Sequence, residues 1–207
     1  MIYWSIKAAQ MSNCFDVIWV STDDEEILEI ASECGAEIPF LRPEALSSDQ
    51  ATTVDVVRHA IDYAISQKID LTAVCCLYAT APFTRASDLI TSYQLLENVD
   101  WVIPVVSYSY PIEKALKILD NNNLTMVDHN LYHSRSQDLT EFYHDAGQFY
   151  WAKPSAWKDE RSPYEQRVRP MILPRTRVQD IDTQEDWNVA ERLFHLELLD
   201  RREHRLE

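Results

Sequence analysis

Glycine is nearly missing from this chain: of 207 residues only Gly35 and Gly147 are glycine, against an average usage of about 7%. That shortage excludes the glycine-rich phosphate loops of both common types, which need several glycines within one turn. Any phosphate cradle is built otherwise or lies outside this sequence. Long apolar runs are also lacking, so no segment has the length of a membrane span. The first residues show no basic stretch followed by an apolar one and a cleavage site. A cytoplasmic protein that binds no membrane is expected. Cysteine is sparse, and Cys14, Cys34, Cys75 and Cys76 match no zinc spacing. In the run TAVCCLYAT, alternation sends Cys75 and Cys76 to opposite faces, where they read as small apolar residues. Positive charge is short as well: 19 Lys and Arg against 34 Asp and Glu leave a net charge of −15. Such a surface repels nucleic acid, and it is an awkward balance for binding a nucleoside triphosphate.

What is present suits one domain over residues 1–207, since 46% hydrophobic residues can fill a core. Met1 to Ser12 reads as helix and Phe15 to Ser21 as strand. Asp24 to Cys34 reads as helix, closed by Gly35 in the left-handed region. Ala36 to Phe40 is a short strand and Arg42 to Asp49 a loop. Thr52 to Gln67 is an amphipathic helix with Val56, Val57, Ala60, Ala64 and Ile65 near one face. Leu71 to Tyr78 is apolar throughout, as in a strand buried on both faces of a parallel sheet. Ala86 to Glu97 is helix and Trp101 to Ser107 strand. This rhythm predicts an α/β domain with a mostly parallel sheet, whose ligands bind beyond the carboxyl ends of the strands. From Tyr108 to Tyr143 the rhythm breaks into a polar, hairpin-bearing insert (residues 108–143). Trp187 to Leu206 is a charged amphipathic helix.

Two segments carry the chemistry. In VQDIDTQEDW, Asp180 and Asp182 stand two apart after a β-prone stretch, so an extended chain points both to one side. Two such carboxylates can hold a hard divalent ion such as Mg2+ together with substrate phosphates. They equally suit a helix start, with Thr183 or Asp182 as cap and Glu185 or Asp186 near the positive end. In HDAGQFYW, Gly147 allows a ring or sugar to approach the backbone closely.

Several separated motifs together resemble the nucleotidyltransferases of the CMP-sialic-acid synthetase type: STDD at Ser21 to Asp24, RPEALSSDQATTVDVVRHAI at Arg42 to Ile61, YATAPF at Tyr78 to Phe83, and DIDTQED at Asp180 to Asp186. YATAPF and SRSQDLTEFYHDAGQFYW, Ser134 to Trp151, resemble the pseudaminic acid cytidylyltransferase branch more than the N-acetylneuraminic acid branch, which tends to carry QPTSP. The resemblance implies a Rossmann-like, glycosyltransferase-A-type fold with a dimerisation insert. It implies joining of CTP to a nine-carbon acidic sugar, giving the CMP-sugar and pyrophosphate, with Mg2+ as cofactor and a homodimer as the assembly.

By the same resemblance Asp180 and Asp182 hold the metal. Ser21, Thr22, Asp23, Arg42, Asp49, Thr52 and Thr80 meet the nucleotide. Tyr78, Arg135, Gln137, His144, Asp145, Gly147, Gln148 and Arg169 frame the sugar. The residues alone allow plainer roles: helix caps at Ser21 to Asp23, Asp49 and Thr52, a packed strand end at Tyr78, a structural histidine at His144. The arginines Arg167, Arg169, Arg175 and Arg177 can offset local acids or help with phosphate and carboxylate charge.

One departure stands out. The family opens with a strand and a basic loop of the form GGSKRIPRKN that grips the triphosphate, and MIYWSIKAAQ matches just after it. About 20 to 25 residues are then expected to be absent, more than a connection between elements needs. Either Met1 is an internal methionine or the chain is this short and inactive alone. The competing expectations are the same reaction on N-acetylneuraminic or legionaminic acid, and a loop-less relative that serves as a binding or assembly protein.

Overall fold

The computed structural model describes residues 1–48 and 50–203, in which helices alternate with the short strands of a five-stranded mixed sheet and a separate two-stranded hairpin. Local chemistry sets the helix ends. Helix α1, Ile2–Ser12, stops at Asn13, which adopts a left-handed conformation with φ 51. Helix α2, Glu25–Glu33, starts where the Asp24 side chain accepts from the Ile27 amide at 2.9 Å. It is followed by Gly35 at φ +86, where an added Cβ would stand 2.8 Å from Gln10 Nε2. Gln10 in turn donates to the Cys34 carbonyl at 2.9 Å, tying α1 to α2. Helix α3, Thr53–Ser66, opens with a reciprocal capping box between Thr52 and Asp55. It buries Val57, Ile61 and Ala64. Ile65, expected on that face, is 53% exposed; Ile61 takes its place in the core.

The sheet is organised around one strand. Strand β1 is Val74–Leu77, helix α4 is Ala86–Leu95, and strand β2 is Trp101–Ser107. The insert supplies β3, Leu116–Ile118, and β4, Leu124–Met126. Then follow β5, Tyr143–Asp145, and β6, Phe149–Ala152. The short helix α5, Pro154–Trp157, precedes β7, Val168–Ile172, and helix α6, Gln184–Glu203. Strand β2 pairs β7 in parallel on one edge; on the other it meets β6 near its start and β5 near its end, both antiparallel. Since β6 also runs antiparallel to β1, strands β1, β2 and β7 share one direction.

Pro104 shapes this arrangement. Its carbonyl accepts from the Ala146 amide at 3.0 Å, but it has no N–H to return. Val105 pairs with Asp145 and Val102 with Trp151, so six steps of one chain (145 to 151) face three of the other (102 to 105). The surplus residues, Ala146 to Gln148, leave the ladder as a bulge, the accommodation a proline inside a sheet demands.

Three strand expectations need correction. Phe15 to Ser21 and Ala36 to Phe40 form no named strand; they meet only in a parallel bridge between Trp19 and Glu37. The run expected at Leu71 to Tyr78 contributes only β1, and its four residues are half-buried, not enclosed on both faces. One reason covers all three. A cavity of about 680 Å³ opens between the Phe15–Ser21 segment and β1, lined by Ile18, Val20, Val57, Ile61, Cys75 and Leu77 among others. Among the described residues, β1 is paired along one edge only, and an unpaired extended segment has no ladder to register it.

The insert holds the β3–β4 hairpin, turned at Asn122 with φ 63. Helix α6 begins at Gln184, three residues before the expected Trp187, because Thr183 and Asp186 form a capping pair ahead of it. The end expected at Leu206 lies outside the described residues.

Cys75 packs with Val102 and Trp151 on one face of the sheet, Cys76 with Ile61 and Trp157 on the other, as alternation predicts. Burial pushes both thiols up, Cys76 to about 12. At pH 8 the thiolate fraction of Cys76 is then on the order of one in ten thousand. Alkylation of the native protein with iodoacetamide at that pH, followed by peptide mass mapping, should leave both unmodified while the denatured chain reacts fully. Equal rates in both states would contradict this burial.

Candidate active site

The bulge between β5 and β6 is the centre of the site. Asp145 closes it: its Oδ1 accepts from the Gly147 amide at 2.7 Å and from the Tyr150 hydroxyl at 3.0 Å. Burial, helped by the Asp145 charge, pushes the Tyr150 hydroxyl far above its ordinary range, so it remains a donor. Gly147 turns at φ +62, and a Cβ there would lie 3.8 Å from Asp180 Oδ1. The two segments singled out in the sequence are thus neighbours in space. His144 donates from Nδ1 to the Asp145 carbonyl at 2.8 Å and packs its ring on Tyr108, a structural arrangement that leaves Nε2 exposed.

Tyr78 joins the bulge to the cavity. Its amide donates to the Gln148 carbonyl at 2.9 Å, its carbonyl accepts from Ser5 at 2.8 Å, and its hydroxyl meets Thr53 Oγ1 at 3.0 Å. Ser21 and Arg42 line the same cavity. Ser21 Oγ and Arg42 Nε are buried without a hydrogen-bond partner among the described residues; a native fold rarely leaves such groups unanswered. Asp23 is spoken for: Arg42 Nη2 donates to it at 2.8 Å and holds its carboxyl below the usual range. Thr22 is 3% exposed, and its Oγ1 accepts from the Asp24 amide at 3.1 Å, a structural turn. Thr52 serves as the cap of α3. Thr80 is exposed in the turn after β1. Asp49 lies outside the described residues.

Asp180 and Asp182 do not end a strand, as their spacing suggested. They sit in an irregular segment between a 3-10 turn at Arg175–Arg177 and α6. Asp186, at the N-terminus of α6, is taken by Thr183 Oγ1 at 2.7 Å and the Thr183 amide at 2.9 Å, which lower its carboxyl. The capping reading therefore applies to Thr183 and Asp186. The Asp180 and Asp182 carboxylates are exposed, and among the described residues neither has a hydrogen bond or ion pair. No group of three or more acidic, His or Cys side chains placed to hold a metal ion occurs among the described residues. Two free carboxylates two residues apart, one of them beside Gly147, fit Mg2+, which takes few protein carboxylates and fills its remaining positions with water and phosphate.

Four expected sugar contacts, Gln148, Arg169, Arg135 and Gln137, are spent or lie on other elements. Gln148 is 3% exposed and engaged at both ends of its amide: Oε1 accepts from Thr84 at 3.2 Å and Nε2 donates to the Arg177 carbonyl at 2.5 Å. Arg169 pairs in register with Val102, whereas His144 pairs with Val106; four residues of strand, roughly 13 Å, separate those levels. Arg135 and Gln137 are exposed in the insert, around the 3-10 turn Ser136–Asp138. Sequence reasoning missed Pro104, whose presence inside a strand run was a readable bulge signal. It also missed the ion pair of Asp88 with Arg177, which no local pattern announces across 89 positions.

The profile of the family described as Cytidylyltransferase matches residues 1–202. The chain is 40% identical over 196 residues to the pseudaminic acid cytidylyltransferase of Campylobacter jejuni, covering 94% of this chain and 84% of that one. It is 28% identical to the CMP-N,N'-diacetyllegionaminic acid synthase of Legionella pneumophila, covering 95% and 85%. In fold it is similar to the CMP:2-keto-3-deoxy-manno-octonic acid synthetase solved with CTP, with a TM-score of 0.64 over 95% of this chain and 88% of that one, at 14% identity.

The bulge geometry can be tested by Gly147→Ala. The nearest atom to the new Cβ is at ordinary contact distance, so the cost is the left-handed backbone alone. Thermal denaturation should show a loss of roughly 1–2 kcal/mol; an unchanged Tm would mean that residue 147 does not hold this conformation.

Proposed function

The chain belongs to the cytidylyltransferase family, and on that premise we propose that it joins CTP to pseudaminic acid, a nine-carbon acidic sugar, with Mg2+ as cofactor. The anomeric hydroxyl oxygen forms a bond to the α-phosphorus, the bond from that phosphorus to the β,γ-diphosphate breaks, and the hydroxyl proton is lost; the products are the CMP-sugar and pyrophosphate. The observation that carries this reading is that the Gly147 bulge adjoins both the Asp180 carboxylate and, through Tyr78, the cavity lined by the unpartnered Ser21 Oγ and Arg42 Nε. Asp180 and Asp182 would hold the Mg2+, which supplies charge neutralisation on the phosphates. Ser21 and Arg42 receive the nucleotide, and the Arg42 fork suits base edges or phosphate oxygens. Gly147 admits the sugar, and Asp145, braced by Tyr150, fixes the bulge beside it. Catalysis of this kind rests on positioning and preorganised charge. The 40% identity to a protein named for pseudaminic acid, against 28% for one named for a legionaminic acid, ranks the sugars.

The exposed apolar side chains of the β3–β4 hairpin support a homodimer through residues 108–143. Ile118 is 71% and Leu124 64% exposed, and they pair in register on one face; a patch of this kind on an insert suits a self-complementary contact. No helix among the described residues is long and apolar enough to cross a membrane. We place the enzyme in the cytoplasm, where CTP is available.

Pyrophosphate release should be followed with CTP, Mg2+, and pseudaminic, legionaminic or N-acetylneuraminic acid in parallel. Fastest turnover is expected with pseudaminic acid, and Asp180→Asn or Asp182→Asn should each reduce kcat about a hundredfold or more. Absence of release from folded protein with every sugar would leave the binding-protein reading in its place. In sedimentation equilibrium the protein should be a dimer, and the double variant Ile118→Asp, Leu124→Asp a monomer; a monomeric starting protein would refute the hairpin contact.

A further inference from the structure

A buried ion pair, Asp88 with Arg177, adjoins the carboxylate segment in the chain. Arg177 is 8% exposed and Asp88 5%. The guanidinium grips the carboxylate with both arms, Nη1 to Oδ2 at 2.5 Å and Nη2 to Oδ1 at 3.2 Å. Asp88 Oδ2 also accepts from the Arg85 amide at 3.2 Å, so the pair is anchored to the start of α4. From the other side, the Arg177 backbone carbonyl accepts from Gln148, which Thr84 holds in turn. Gln148 follows Gly147, and Gly147 faces Asp180. One buried network therefore joins α4, the bulge and the segment that carries both free carboxylates.

That segment has few restraints of its own. Residues 178–182 belong to no strand or helix. Arg177 pins one end and the Thr183–Asp186 cap pins the other. A buried ion pair is weak as a net stabiliser, because desolvation offsets its attraction, while its fork fixes direction. We infer that Arg177, with Asp88 and Gln148, is a positioning group that sets where the Asp180 and Asp182 carboxylates sit against Gly147, and so sets affinity for the divalent ion. This rests on the metal assignment proposed above. The group resembles the outer shell of known metal sites, whose loss typically costs 10–100-fold in metal affinity.

The probe is Mn2+, bound in the presence of CTP and measured by the loss of its free electron-paramagnetic-resonance signal, with circular dichroism and Tm as the check on folding. Three variants are compared with the unaltered protein. Asp180→Asn identifies the site. The double variant Asp88→Leu, Arg177→Met replaces the pair with apolar side chains of similar size, which buried pairs commonly tolerate. Arg177→Lys keeps the charge and removes the fork. Asp180→Asn should abolish tight Mn2+ binding. Both Arg177 variants should bind Mn2+ about tenfold or more weakly, and kcat should fall with it while KM for CTP stays within twofold. In whichever of the two folds with a Tm near that of the unaltered protein, Mn2+ affinity equal to the unaltered protein's would overturn the positioning role and leave the metal assignment intact. Tight Mn2+ binding that survives Asp180→Asn would remove the metal assignment, and the positioning role with it.

Discussion

A missing hydrogen-bond donor shapes the site. Pro104 lies in the middle of the strand that pairs on both edges, and it presents its ring to the edge where residues 143–152 run antiparallel. The partner chain cannot continue its ladder there, so it bulges. The bulge contains one of the chain's two glycines, places Asp145 where it can clasp the Gly147 amide, and sends Gln148 inward to Thr84 and Arg177. Strand β6 then resumes and carries Tyr150 back under Asp145. The candidate active site is thus a consequence of how the sheet accommodates one proline.

Charge is distributed with a similar economy. The chain is strongly acidic, yet the described carboxylates around the site are mostly engaged: Asp23 by Arg42, Asp88 by Arg177, Asp145 by Gly147 and Tyr150, Asp186 by Thr183. Away from it, Asp100 takes the bidentate fork of Arg167. Asp180 and Asp182 differ in having no such partner among the described residues. In an acidic protein that must meet a polyphosphate, the divalent ion proposed for these two positions would reverse the local sign of the field. Of the surrounding arginines, Arg42 and Arg177 hold other acids in place.

Much of this was legible in sequence. Helix ends followed the expected Thr52 cap and Gly35, and β2 has the bounds its apolar run predicts, whereas the cap expected at Ser21 to Asp23 falls on Asp24. Cys75 and Cys76 alternate across the sheet as expected. The hairpin-bearing insert and the adjacency of the two motif segments also came through. Illegible parts have physical reasons. Phe15 to Ser21 has strand composition, but a strand exists only with a partner, and its inner neighbour here is a cavity. Gln148 looked like a ligand-binding amide because polarity is visible in sequence and burial is not. Arg177 looked like one more member of a basic stretch, since its partner is far away in the chain. Asp180 and Asp182 were assigned to a strand end by spacing; their free carboxylates depend instead on an irregular segment held at both ends.

The central claim is that a divalent ion and the nucleotide meet at the Asp180 and Asp182 carboxylates beside the Gly147 bulge. Crystals grown with CTP and Mn2+, measured at the manganese absorption edge, test it directly. The account predicts an anomalous peak within coordination distance of both carboxylates, about 2.0–2.3 Å, with CTP phosphate oxygens completing its shell. A peak elsewhere on the protein, with CTP bound and both carboxylates bare, would contradict it.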